Sequence, residues 1–259
     1  MQSYITLGST TTPSMAKNLN SATRLLRILE KASEYQDNTQ TLEAWAKLLG
    51  VSVDNPNRRA VEVGELVHAM HRELDLAAAG LKGANFSKSL YESAFSRIEH
   101  AISPMLLPAT WNQVKQYLTP DVLTALAFCT EILPDEENQI SAEELASIQE
   151  KVEELRVTLA EAETPPRLRQ LIQHHIELID RALSEYSVVG AKALREAGRT
   201  ALGEMIEVKE ELAPVKTSPA VSKLESAWAT VNKAADIALK GEKIAQLGQK
   251  AWEALSGML

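Results

Sequence analysis

One cysteine, Cys129, stands in 259 residues, so the chain can form no internal disulfide. That usage fits a reducing compartment. Cys129 lies in the apolar stretch Ala125-Leu-Ala-Phe-Cys129, which makes it a small core residue before it is a reactive thiol. Aromatic residues are scarce at 5%, and nothing alternates with period two for long enough to build a sheet. No stretch reaches eighteen uninterrupted apolar residues, which leaves no ordinary membrane span. The first fourteen residues lack both a basic n-region and an apolar h-region. They read as a polar leader (1–14) rather than a signal peptide, and the expected location is cytoplasmic.

Catalytic signatures are equally sparse. Gly80-Leu-Lys-Gly83 lacks the strand, the spacing and the Lys-Ser/Thr of a phosphate loop, and no Gly-x-Ser-x-Gly elbow occurs. No pair of acids sits in apolar context to do general acid-base work. The sequence implies no cofactor.

What the chain does carry is helical period. Hydrophobic residues make up 45% and charged ones 24%, the composition of a folded globular chain. A first helix is expected from Met15 to Glu34, with Met15, Leu19, Ala22, Leu26, Leu29 and Ala32 on one face. A short second one near Thr41–Leu49 stops at Gly50. After the Asn55-Pro56 turn a third spans Arg58–Ala79, with Val63, Leu66, Val67, Met70, Leu74 and Ala77 inward and Gly80 and Gly83 closing it. Ser87 is expected to cap a fourth helix, Thr110-Trp-Asn-Gln113 to form a capping box, and Thr119-Pro120-Asp121 to start another helix.

The clearest pattern follows. Ser141-Ala-Glu-Glu144 opens a row of Leu145, Ile148, Val152, Leu155, Leu159 and Ala162, spaced alternately three and four apart. Thr164-Pro165-Pro166 ends that row and begins Leu168, Ile172, His175, Ile179, Ala182 and Val189. Such alternation is the seam of coiled-coil-like packing, and the short break predicts a long antiparallel helical hairpin. Helix resumes over Val188–Leu212, and Ser218-Pro219 begins a last one with Leu224, Trp228, Val231, Ala235, Ala238, Gly241, Ala245, Gly248, Trp252 and Leu255 inward. Its small central residues predict close approach to a neighbouring helix. The fold class is all-α: a multi-helix bundle over 15–133, then the hairpin and two further helices over 134–259, the two regions being either separate or continuous.

Three sets of residues are candidates for function. Arg169-Gln-Leu-Ile-Gln-His174 resembles the arginine–histidine signature of HEPN-type ribonucleases, and His175 fits one residue later. The resemblance implies a metal-independent cleavage by the RNA's own 2′-hydroxyl, with Arg169 and His174 or His175 at the reacting phosphate, in a homodimer. Nucleic acid is a partner only on that reading. Glu65-x-x-His68-x-x-His71 is half of a carboxylate-bridged di-iron pattern, but no second Glu-x-x-His has the right spacing, so no metal is expected.

The third set is acidic. The net charge is −8, yet eleven acids face only Lys151 and Arg156 between Glu131 and Glu163, so the rest of the chain is close to neutral. That balance opposes phosphate-backbone binding there and predicts a docking surface for a protein partner at Glu143, Glu144, Glu150, Glu153 and Glu154. The expected function is therefore a non-enzymatic interaction or adaptor protein. Residues 219–259 offer a membrane-active alternative, with Lys233, Lys240, Lys243 and Lys250 on the polar side and Trp228 and Trp252 near either end.

Overall fold

The computed structural model describes residues 18–36, 38–161, 164–208 and 218–239. Within them the chain is all-α, with ten α-helices and no strand. The helices are α1 (Ser21–Glu34), α2 (Thr41–Leu49), α3 (Pro56–Gly83), α4 (Glu92–Ala101), α5 (Asn112–Lys115), α6 (Pro120–Ile132), α7 (Ala142–Glu161), α8 (Pro166–Val189), α9 (Ala191–Glu207) and α10 (Pro219–Ala238). Among the described residues no helix is long and apolar enough to cross a membrane.

Several starts are set by side chains that satisfy the exposed amides of a first turn. Asn55 accepts from the amides of Asn57 and Arg58 ahead of Pro56. Ser218 accepts from Val221 N ahead of Pro219. At α7 the Ser141 hydroxyl accepts from Glu144 N at 3.1 Å, while Glu144 accepts from Ser141 N at 2.9 Å, a complete capping box.

Other boundaries differ from expectation. α1 begins at Ser21, because Asn20 takes the cap position and its amide donates to the carbonyls of Thr130 and Leu133. Met15 lies outside the described residues. α3 runs through Gly80 to Gly83, with Leu133 resting against Gly80. Ser87 leads into a 3₁₀ turn at Lys88–Leu90, and α4 starts only at Glu92. No side chain caps α5; Thr110 makes an isolated bridge to Gln40 instead. The helix expected from Val188 is broken at Gly190, where φ is 70° and ψ is −154°.

The amino-terminal helices close around Trp45 and Trp111, whose rings meet edge to face at 5.1 Å. In the second half, Ile148, Val152, Leu155 and Leu159 of α7 are buried, as are Leu168, Ile172, His175, Ile179, Ala182 and Val189 of α8. α7 and α8 touch, but the larger share of α7's packing goes to α10, which also lies along α9. The reason is the surface of α10: Ala220, Ala227, Ala234, Ala235 and Ala238 are all buried and let its backbone come close. Ala162 and the inward positions from Gly241 onward lie outside the described residues.

Candidate functional site

Two buried polar centres and one exposed face carry the chemistry of the described residues. The first centre is built on Arg24, only 4% exposed although it is charged. Its Nε donates to Glu73 Oε2 of α3 at 2.9 Å, its Nη1 to Glu137 Oε1 at 2.9 Å and its Nη2 to Glu136 Oε2 at 2.8 Å. Lys192 of α9 donates to the same Glu136 oxygen at 2.7 Å, and Ala191 N donates to Glu137 Oε2 at 2.8 Å. One guanidinium ties α1, α3 and the connector before α7, and the connector's two carboxylates extend the tie to the start of α9.

The electrostatics follow from burial. Desolvation pushes the Glu73 and Glu137 carboxyls up, with Arg24 pulling the other way. Glu136 is desolvated too, yet the bonds from Lys192 and Arg24 outweigh that and hold its carboxyl below the ordinary value. Three carboxyl groups thus share two cations, and burial raises two of the three. Every group named is spent on the tie, so the centre is a clamp and not a reaction site.

The second centre is His175 of α8, which is fully buried. The Trp228 indole of α10 donates to its Nδ1 at 2.9 Å. That bond places the proton of the neutral ring on Nε2. Nε2 lies 3.4 Å from Glu204 Oε2 of α9, without hydrogen-bond geometry, and neither atom has another partner among the described residues. The other Glu204 oxygen lies 3.1 Å from Nε2 of the exposed His174. Burial pushes the His175 ring down to about 4; Glu204 acts against that shift and His174 adds to it.

The residues of the ribonuclease-like motif lie on one helix, α8, and bond to different neighbours. Arg169 donates to the Leu159 carbonyl of α7 at 2.8 Å and lines an open groove of about 450 Å³ with Arg156, Gln173, Glu177 and Asp180. His174 points to α9 and His175 to α10. Arg169 and the two histidines thus each have a bonding partner on a different neighbouring helix. The Glu65, His68 and His71 trio does not converge: Glu65 and His68 are exposed, and His71 bonds the Ile102 carbonyl at 3.1 Å. Among the described residues no group of three or more His, Cys, Asp or Glu side chains is arranged to hold a metal.

The acidic residues divide by position. Glu144 is spent in the capping box. Glu154 binds Lys151 of its own helix at 2.8 Å and Lys223 of α10, and these two bonds hold its carboxyl down at about 2. Glu136 and Glu137 belong to the clamp, and Asp135 accepts from Leu19 N at 3.0 Å. Glu143, Glu150 and Glu153 face solvent along one side of α7, in a row with the half-exposed Val157. Of the three, Glu153 approaches Arg156 at 3.6 Å. Trp228, offered by the membrane reading as an interfacial ring, is instead buried on His175. Trp252 and the lysines from Lys240 onward lie outside the described residues.

Arg24, Glu73 and Trp228's role escaped the sequence reading. A signal was present for the first two. Glu73 falls three residues after Met70 and four before Ala77, inside the apolar row of α3, and Arg24 falls four before Ile28. A charge inside an apolar row has to find a buried partner. No family model matches this chain, and no curated protein or solved structure is significantly similar to it.

Proposed function

We propose that this chain is a non-enzymatic interaction protein of the cytoplasm that docks a basic protein segment on the outer face of α7. The observation that supports the reading is the row Glu143, Glu150 and Glu153 beside Val157, which is 45% exposed. Three carboxylates there are not consumed by the fold in the way that Glu144 and Glu154 are. An exposed branched apolar side chain within an acidic row matches a partner segment that carries lysine or arginine around an apolar anchor. The single thiol and the lack of any disulfide fit the reducing cytoplasm.

The test is a tagged capture from the native host at moderate salt, run in parallel with Glu143→Lys, Glu150→Lys, Glu153→Lys. A stoichiometric protein held by the parent and released by the triple variant supports the reading. A partner held equally by both removes the α7 face from consideration.

A further inference from the structure

We infer that His175 is an acid-sensitive latch for α10: its neutral ring accepts the Trp228 indole hydrogen and holds the helix on the bundle, and a proton on Nδ1 cancels that bond and lets α10 open. The inference goes beyond the docking reading and does not depend on it.

The geometry supplies both halves of the switch. In the closed state Nδ1 is an acceptor 2.9 Å from an N–H that has no freedom to turn away, because Trp228 is itself fully buried. Adding a proton to Nδ1 sets two donors against each other at that distance. The cationic ring then has one counter-charge to move towards, Glu204 Oε2, 3.4 Å from Nε2 on α9. The ring therefore loses its partner on the α10 side while its counter-charge lies on the α9 side, which makes the response directional. The groups that act on it are Glu204 from α9, the Trp228 indole from α10 and His174 from α8 itself.

Three other ties of α10 behave differently over the same pH range. Lys223 stays paired, since Glu154 keeps its charge down to about pH 2. Asn138 N donates to the Ala238 carbonyl at 2.6 Å, a bond without a titrating group. Asp236 of α10, near Arg195 of α9, is pushed up by burial and works in the opposite sense, gaining stability in acid. His175 is thus a group of this cluster whose protonation favours opening.

With the closed ring at about 4 and an exposed ring near about 6.5, the opening equilibrium of α10 rises about 30-fold between pH 7.5 and pH 5. The experiment is amide hydrogen exchange on the full chain at those two pH values, corrected for intrinsic exchange and compared with His175→Asn. Asparagine sets an amide oxygen near the Nδ1 position and does not titrate. The expected result is a pH-dependent loss of protection in α10 that exceeds that of α1 and α3 and is abolished in the variant. An equal loss in the variant, or an equal loss in α1 and α3, overturns the latch. A histidine NMR titration of the unmodified chain decides the matter if the variant does not fold. His175 titrating well below 6.5 together with α10 opening supports the latch; titration near 6.5 with α10 protection unchanged overturns it.

Discussion

The Glu137 carboxylate occupies the space that a side chain at residue 190 would need. A Cβ added to Gly190 would run into both of its oxygens, and the backbone there has φ 70° and ψ −154°, a region essentially confined to glycine. The sharp break between α8 and α9 and the buried clamp are thus one feature. Glycine at 190 lets Glu137 reach both Arg24 and the Ala191 amide.

Gly190→Ala combines backbone strain with a steric clash on a buried carboxylate. A loss on the order of 3 kcal/mol in unfolding free energy is expected, read from urea denaturation. A loss below about 1 kcal/mol would show that the clamp yields easily.

Arg24→Leu strands Glu73 and Glu137 in the interior. The expected cost at pH 7.5 is about 3–5 kcal/mol. The sign with pH is diagnostic. Both carboxyls are already raised by burial, so their favourable contribution is present in acid and lost as pH rises through the folded values. Removing Arg24 raises them further, and the variant's deficit shrinks between pH 7.5 and pH 5.5. A deficit that is flat with pH contradicts this account.

For His175 the sign is the reverse. A ring lowered to about 4 when folded and near about 6.5 when unfolded stabilises the protein fully above the higher value. About 3 kcal/mol is lost as pH falls from 6.5 towards 4. Trp228→Phe keeps the packing but leaves Nδ1 without its donor, at a cost of about 1–3 kcal/mol at neutral pH. Denaturation of both proteins across that range checks the two figures together.

Charge reversal at Glu143, Glu150 and Glu153 is expected to leave stability within about 0.5 kcal/mol, since all three are exposed. Glu154→Lys, by contrast, sets a third cation beside Lys151 and Lys223 and lowers the melting temperature. Thermal unfolding of the two variants distinguishes a free acidic face from an acidic residue that the fold uses.

Arg169 bonds the end of α7 while His174 bonds α9, so no Arg169-dependent RNA cleavage is expected in chelator. Incubation of a structured RNA with the parent chain and Arg169→Ala tests this. Cleavage that disappears in the variant would restore the ribonuclease reading.

The helices were legible where period and cap agreed, as at Ser141–Glu144 and Ser218-Pro219, whereas Asn55-Pro56 reads as a turn before Arg58 although it caps and begins α3. Those signals are local, and local chemistry decides them. His175 was visible as a polar residue inside a seam that required a partner, but its partner sits 53 residues away on another helix. The clamp joins Arg24 to Glu137 across 113 residues, a pairing that periodicity does not encode. The acidic stretch is divided for the same reason. Linear charge density counts Glu136, Glu137 and Glu154 with Glu143 and Glu150, whereas tertiary pairing takes the first three into contacts with Arg24, Lys192 and Lys223 and leaves the other two exposed.

The connector 134–138 also receives both ends of the described chain. Leu19 bonds Asp135 and Glu136, while Ala238 and Leu239 meet Asn138 and Glu137. The bond from Leu19 to Asp135 closes a loop spanning 116 residues, and that from the Asn138 side chain to the Ile237 carbonyl one spanning 99. One short connector thus gathers two elements that lie far from it in sequence, and loops of that length carry an entropic cost that helices built from neighbouring residues do not.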